Sequence, residues 1–194
     1  MSLEAALARI QEIKTFSGVA AQPVAAQPEA GAFASALKGS TASAASSGPV
    51  GARMVSLAQA ELAKGVSEGN GDNDSPDIAR YRTSTKGAAA GAPWCAYFVS
   101  YIAKQAGAPI GSGGSGIGYV PTITNWAKQS GKFIAPGGQV RPGDIILFGG
   151  SGHTGIVEKV NRDGSLTTIE GNHSDRVDRV TRSKSEAVGF VRMG

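Results

Sequence analysis

The stretch GAPWCAYFVSYIAKQAG, residues 91–107, holds the single cysteine of the 194-residue chain. Apolar residues follow Cys95 at positions i+3, i+4, i+7 and i+11, which is the spacing of one buried helix face. Gly107 and Pro109 end the pattern. The sequence therefore predicts a buried helix whose first turn contains Cys95.

A lone cysteine cannot form an intramolecular disulfide, so Cys95 is either a packing residue or a reactive thiol. At a helix N-terminus, the macrodipole and the unpaired backbone N–H groups favour the thiolate. The competing interpretation is that Cys95 only fills the core, because free cysteine is among the most buried residue types. A base near the thiol decides between the two.

The chain offers two histidines as that base, His153 and His173. His153 lies in GGSGHTGIV, where glycines allow backbone and substrate to approach closely and a strand begins. Glu170 and Asn172 follow in IEGN at alternate positions, and alternate positions share one face of a strand. The same alternation directs His173 away from that face.

A hairpin with its turn near residues 163–164 would bring the face that carries Glu170 and Asn172 beside His153. A carboxylate or an amide then binds one ring nitrogen, while the other ring nitrogen meets Cys95. This is the nucleophile, base and orienting-group arrangement of covalent acyl transfer. Of the two orienting candidates, we expect Glu170 to contact the imidazole and Asn172 to support it.

The chain divides into three parts by composition. Residues 1–16 have apolar residues at helical spacing and predict an amphipathic adaptor helix. Residues 17–50 are rich in Ala, Ser, Pro and Gln, with few large apolar residues, and predict a disordered linker. Residues 51–194 hold helical patterns followed by β-branched runs, so they form the folded domain.

Within that domain, helices are expected from residue 52 to Gly65, from Cys95 to Ala106, and over 120–127. The segment between the first two, residues 66–82, has the composition of a polar loop. Strands are predicted at 144–150, 154–160, 165–171 and 187–193. Helices followed by strands indicate an α+β fold, with the helices packed on an antiparallel sheet or half-barrel.

Four motifs, PWCAYFVSYIAKQAG, VRPGDIILF, SGHTGIV and IEGN, resemble in their order the signatures of the CHAP family. CHAP proteins are cysteine, histidine-dependent amidohydrolases and peptidases of the NlpC/P60 papain-like superfamily. The resemblance spans about residues 54–193. It implies a papain-like fold, with Cys95 as nucleophile, His153 as base, and Glu170 and Asn172 as orienting residues.

The resemblance also implies hydrolysis of amide bonds in peptidoglycan, as an N-acetylmuramoyl-L-alanine amidase or an endopeptidase of the endolysin kind. Trp94, Tyr97 and Tyr119 are candidates for lining the substrate groove, although as core aromatics they need no such role. One alternative is a non-catalytic wall-binding or assembly module of the same fold. Another is an intracellular cysteine peptidase or acyltransferase.

Two loops have compositions that resemble ligand sites. GNGDNDSPD sets Asp72, Asp74 and Asp77 at spacings that suit calcium, but the EF-hand pattern fails without a Glu at loop position 12. We therefore expect no cofactor, and treat these residues as weak calcium candidates. The segment resembles the run that precedes the cysteine in many bacterial CHAP hydrolases, which implies that it braces the site. GSGGSG, residues 111–116, follows a helix rather than a strand and is read as a loop, not a dinucleotide site.

The distribution of charge along the sequence limits the kinds of partner that we expect. Residues 1–50 hold three basic and three acidic residues, so the net charge of +4 lies in 51–194. That charge suits an anionic wall polymer. The basic run lacks the interleaved aromatics of a nucleic-acid surface, so we expect a solvated face and no nucleic acid. The run consists of Arg176, Arg179, Arg182 and Lys184.

No apolar run reaches the roughly 18 residues of a membrane span. Charged residues interrupt MSLEAALARIQEIKTF, which therefore does not fit a secretory signal. The Ala-rich leader resembles the N-termini of flagellum-associated proteins. We accordingly expect action at the cell wall after flagellar export or as a phage product, with a flagellar or phage structural protein as partner of the leader.

Overall fold

The computed structural model describes residues 49–150 and 152–194. In these residues helices come first and a six-stranded antiparallel sheet follows, which confirms the predicted α+β class. The predicted helix of residues 1–16, and all of the predicted linker 17–50 except its last two residues, lie outside the described residues.

Four α-helices occur in the described residues. The first begins two residues before the predicted start and ends close to Gly65, as its helical pattern indicates. The bounds of the helices are α1 Val50–Ala63, α2 Pro76–Arg82, α3 Cys95–Gln105 and α4 Val120–Gln129. Within the described part of the chain, no helix is long and apolar enough to cross a membrane.

Helix α3 is the centre of the core. Its predicted stripe is buried, with Phe98, Val99 and Ile102 fully inaccessible. It packs on β3 and β4 of the sheet, while α1 and α2 cover its other sides. The helix that carries Cys95 is therefore held on several sides by apolar contacts.

The sheet places the second half of the chain in one layer. Its strands are β1 Phe133–Ile134, β2 Ile145–Phe148, β3 His153–Val160, β4 Leu166–His173, β5 Arg176–Arg182 and β6 Ala187–Val191. Their order is β1-β6-β2-β3-β4-β5, and every pairing is antiparallel. Strands β3 and β4 form the predicted hairpin, with Ile156 opposite Ile169 and the turn closed by Asn161 N–H donating to Ser165 O at 2.8 Å.

Two segments were predicted wrongly. Residues 76–82 form α2 rather than loop: the Ser75 hydroxyl caps the helix by accepting the Ile78 N–H at 3.3 Å, and Pro76 occupies the first turn. This Ser-Pro start is a helix signal that the polar surroundings concealed.

The basic run of residues 176–182 is the edge strand β5 and not simply a solvated face. Val177 is buried, and the Arg182 guanidinium lies on the Glu170 carboxylate. Charged side chains are common on edge strands, where they prevent pairing with other chains. The alternation of Val177 with polar neighbours was the signal for a strand.

Gly171 gives a first testable prediction, because it lies where β4 passes over α3. A Cβ at this position would lie 2.6 Å from Phe98 Cβ and 2.8 Å from Trp94 Cζ3. We expect Gly171→Ala to lower the free energy of unfolding by about 1–3 kcal/mol, the usual cost of overpacking a core. Urea unfolding measures the change. Gly137→Ala is the control, because a Cβ there meets nothing within 4 Å; equal losses in the two variants would contradict the prediction.

Candidate active site

Cys95 is the first residue of α3 and is 6% exposed. Trp94 is the N-cap residue and offers no side-chain cap, so the first turn keeps N–H groups without partners inside the helix. These groups and the helix dipole favour negative charge beside the sulfur. The structure thus places the thiol where the sequence predicted it.

His153 begins β3 and lies directly opposite Phe148 of β2. The two rings stack with their centroids 5.7 Å apart and their planes inclined by 22°. Gly152 precedes the histidine with φ of 82°, and a Cβ at this glycine would lie 3.2 Å from Val120 Cβ. Glycine therefore allows the turn into β3 to pass close to the start of α4, and Phe148 fixes the plane of the imidazole.

Glu170 of β4 binds the imidazole of His153. Its Oε2 lies 2.8 Å from His153 Nε2, and its side chain is fully buried. Gly155 on the neighbouring strand makes room, since a Cβ there would lie 2.6 Å from Glu170 Cγ. Because Glu170 occupies Nε2, Nδ1 is the ring nitrogen left for Cys95.

The proton affinity of His153 follows from these neighbours. Burial lowers the pKa of His153, but its interactions with the Cys95 and Glu170 side chains outweigh burial and raise the pKa to about 9. An imidazole that keeps its proton near neutral pH can stabilise a thiolate beside it. The raised pKa therefore keeps the imidazole of His153 charged at neutral pH.

Arg182 of β5 holds the carboxylate from the other side. It donates from Nη2 to Glu170 Oε2 at 2.6 Å and from Nε to Oε1 at 2.9 Å, and its guanidinium lies 4.8 Å from the Phe148 ring centroid. The Thr168 hydroxyl donates to Oε1 at 2.6 Å. Burial raises the pKa of Glu170, but hydrogen bonds from Arg182, His153 and Thr168 reverse this and lower it to about 2.

Asn172 does not share the face of Glu170, contrary to the sequence-based expectation. The pairing of β4 with β5 shifts between Glu170 and His173, and Asn172 has φ of 59°. This β-bulge breaks the alternation on which the expectation relied. The amide instead lies 3.1 Å from the Trp94 N–H, which its oxygen can accept, and 3.1 Å from Glu68 Oε1, to which its nitrogen can then donate.

The same bulge corrects the prediction for His173. An extra residue in the strand returns His173 toward the site, so that its ring centroid lies 6.4 Å from that of His153. Its Nδ1 lies 3.2 Å from Asp178 Oδ2. His173 therefore lies beside the base and does not point away from it.

Glu68 links the loop before α2 to the start of α3. Its Oε1 accepts the Trp94 indole N–H at 2.9 Å, its Oε2 accepts the Asn73 N–H at 2.7 Å, and its own N–H donates to Asp175 O at 2.8 Å. The loop is thereby attached to both the N-cap of α3 and the β4–β5 turn. These contacts agree with the bracing of the site that the family resemblance implies for the segment.

The three predicted aromatic contacts have different environments. Trp94 is fully buried, so the expectation that it lines the groove is wrong. Its large apolar side chain packs in the core instead. Tyr97 and Tyr119 both line a cavity of about 540 Å³ between α4 and the loops before it. Tyr119 is 62% exposed.

The three aspartates that are weak calcium candidates make contacts with other protein groups. The Asp74 carboxylate is paired with Arg82, and Asp77 Oδ1 lies 2.8 Å from Arg80 Nη2. Asp72 Oδ1 accepts the Asp74 N–H at 3.1 Å. Among the described residues no group of three or more His, Cys, Asp or Glu side chains could hold a metal ion.

Cys95, His153 and Glu170 lie in a stretch of the chain that matches a known protein family. The CHAP domain model matches residues 87–172. This match confirms the resemblance to the CHAP family. Such domains are typically cysteine, histidine-dependent amidohydrolases that act on the cell wall, and the matched span contains Cys95, His153, Glu170 and Asn172. Comparison with curated proteins and with solved structures gave no match.

Glu68 and Arg182 lie outside the span that matches the CHAP model, and sequence reasoning assigned neither a specific role. The signal for Glu68 was its place at the head of the bracing segment. The signal for Arg182 was weaker, because a contact across two strands depends on register, which a run of basic residues does not reveal.

The pKa of His153 gives a second prediction. In wild type its imidazole should titrate near pH 9, and Glu170→Gln should move the midpoint lower, because the carboxylate that raises the pKa is lost while burial remains. NMR of the imidazole signals against pH measures this, with His173→Gln used to assign the two histidines.

A wild-type midpoint near the ordinary 6.5, or an unchanged midpoint in Glu170→Gln, would contradict this reading of the site. The raised pKa also makes the free energy of unfolding depend on pH. Because the folded pKa is raised, the imidazolium stabilises the fold fully below pH 6.5, and this contribution is lost as pH rises through about 9.

Arg182 gives a third prediction. Arg182→Met leaves the buried Glu170 carboxylate without its cation, and we expect a loss of about 3 kcal/mol in the free energy of unfolding. The double variant Arg182→Met/Glu170→Gln should lose less than the sum of the single variants, because it removes the unpaired charge as well. Urea unfolding at pH 7 measures the cycle, and strictly additive losses would refute the coupling.

Proposed function

We propose that the CHAP domain of this chain hydrolyses amide bonds of peptidoglycan with Cys95 as nucleophile. The observation that carries the proposal is the imidazole of His153, which Glu170 binds at Nε2 and whose pKa the Cys95 and Glu170 side chains raise. A cysteine that only filled the core would need neither an oriented imidazole nor a fully buried carboxylate behind it.

In the proposed reaction the Cys95 thiolate attacks the carbonyl carbon, and the C–N bond breaks as the His153 imidazolium gives its proton to the leaving amine. Neutral His153 then takes a proton from water, and the resulting hydroxide attacks the thioester. The products are a carboxylic acid and an amine, and the thiolate–imidazolium pair is restored. These steps use only side chains and water.

The developing oxyanion needs donors. The N–H groups at the start of α3, including that of Cys95, have no partner inside the helix and are directed toward the region before its first turn. Donors that are fixed before the reaction stabilise the tetrahedral intermediate without reorganising. Glu68 and Asn172, which contact the Trp94 side chain and backbone, act as positioning residues for this helix start.

Glu170 has a separate task in this proposal. A carboxylate on Nε2 fixes the ring orientation and stabilises the charged imidazole, as the third member of a triad does. Arg182 and Thr168 fill its remaining lone pairs, so that Glu170 stays ionised far below neutral pH. Under this scheme, Arg182 acts only through Glu170.

The finer assignments are part of the proposal. Positive net charge favours approach to an anionic wall polymer. Either an amidase or an endopeptidase can use the same steps. A role beside a flagellar or phage structure depends on the leader, of which residues 1–48 lie outside the described part of the chain. That role, like the export route, stays a prediction.

Digestion of purified peptidoglycan tests the proposal and gives the fourth prediction. Wild type should release soluble fragments, and Cys95→Ala should lower the rate by at least ~10⁴-fold, the scale on which loss of a catalytic nucleophile acts. Mass spectrometry of the new termini separates amidase from endopeptidase.

Val160→Ala is the matched control, because Val160 is 41% exposed at the far end of β3 and should leave the rate unchanged. Equal release by wild type and Cys95→Ala would reject cysteine catalysis. A wild-type protein that releases nothing from walls of several chemotypes would reject the hydrolase.

A further inference from the structure

The cavity of about 540 Å³ lies outside the reacting atoms, and none of Cys95, His153 and Glu170 lines it. One wall is α4, the second is the loop 111–118 that follows α3, and the third is the segment 85–87 that leads toward Cys95. Its volume suits a ligand of one or two rings.

The wall formed by α4 is a single helix face. Thr122, Asn125, Trp126 and Gln129 all line the cavity, and they follow one another at i, i+3, i+4 and i+7. Ile123 and Ala127 of the same helix are fully buried. The core therefore accounts for the opposite face of α4, whereas hydroxyl, amide and indole groups are collected on the face toward the cavity.

The lining of the cavity carries almost no charge. It contains no carboxylate, and Lys86 is its single cation. Hydroxyls of Ser112, Ser115 and Thr122 and the amides of Asn125 and Gln129 both donate and accept hydrogen bonds. The stem peptides of peptidoglycan carry several carboxylates and would favour more cations, whereas an N-acetylated sugar is neutral and rich in hydroxyls.

Two aromatic side chains complete the match. Trp126 and Tyr119 border the cavity, and Tyr119 is the most exposed of the large apolar side chains in the described residues. The faces of sugar rings present C–H groups, which pack on aromatic rings, while the hydroxyls at the ring edge remain free for polar partners. An exposed tyrosine beside amides and hydroxyls suits that ligand.

The cavity is joined to the reactive site by a short piece of chain. Gly118 contacts the Tyr97 ring, Tyr119 follows, and Val120 packs on Gly152, which immediately precedes His153. Tyr97 itself lies two residues after Cys95 in α3. A ligand held against Tyr119 is therefore beside the segment that connects the two regions.

We propose that this cavity binds N-acetylated saccharide units of the glycan strand, so that amide bonds close to the glycan are presented to Cys95. The proposal rests on the proposed function. It adds to it a ligand class and the residues that recognise that ligand.

The test measures binding without turnover, on the full chain with Cys95→Ala and ¹⁵N labelling. The chain has two tryptophans, so its spectrum contains two indole N–H signals, and Trp126→Phe assigns them. The probes are the β-1,4-linked tetramer of N-acetylglucosamine and a stem pentapeptide without sugar. We expect the saccharide to shift the Trp126 signal and to leave that of the buried Trp94 in place.

In the same background, Trp126→Ala and Tyr119→Ala should each weaken saccharide binding about tenfold, which corresponds to ~1.4 kcal/mol. Lys128→Ala is the matched control, because Lys128 lies on α4 but outside the cavity lining. Tyr119→Ala keeps the test valid if loss of the partly buried Trp126 unfolds the protein.

No response of Trp126 to the saccharide, a response to the pentapeptide instead, or unchanged affinity in Tyr119→Ala would overturn the proposal. The outcome is separable from the hydrolase itself. If wild type digests peptidoglycan but the Trp126 signal does not respond to the saccharide, only the assignment of the cavity is refuted. If wild type releases no fragments, the proposed hydrolase activity is refuted, whether or not the saccharide binds.

Discussion

A single carboxylate, Glu170, is shared between an imidazole and a guanidinium in a place that solvent does not reach. Its burial alone would favour the neutral acid, which could not hold a charged histidine. The Arg182 cation and the Thr168 hydroxyl reverse that preference. The orientation of His153, and part of the rise in its pKa, depend on this one buried ion pair.

The geometry around the carboxylate comes from three adjacent strands. β3 supplies His153, β4 supplies Glu170 and β5 supplies Arg182, so the hydrogen-bonded register of the sheet sets the distances between them. Glycine at 155 gives the carboxylate room between the strands. The bulge after Glu170 then sends Asn172 toward the start of α3, where it meets the Trp94 backbone.

The parts of the molecule that follow local patterns could be predicted from the sequence. The helix at Cys95, the hairpin after His153 and the α+β order are all visible as apolar spacing and turn residues. The contact between Glu170 and His153 was expected from that hairpin. The positions of Asn172 and His173 could not be obtained, because alternation gives the wrong face once a bulge inserts one residue. Arg182 was missed for a related reason, since its partner lies across the register of two strands.

Strand order ties this site to the last two strands of the described residues. β6 pairs with both β1 and β2 in the interior of the sheet, and it follows Arg182 of β5 by only a few residues. Synthesis from the N-terminus therefore adds Cys95 and His153 before it adds the Arg182 cation that fixes the carboxylate. A product that stopped before β5 would keep the thiol and the imidazole, but it would lack the guanidinium that anchors Glu170 and the interior strand β6.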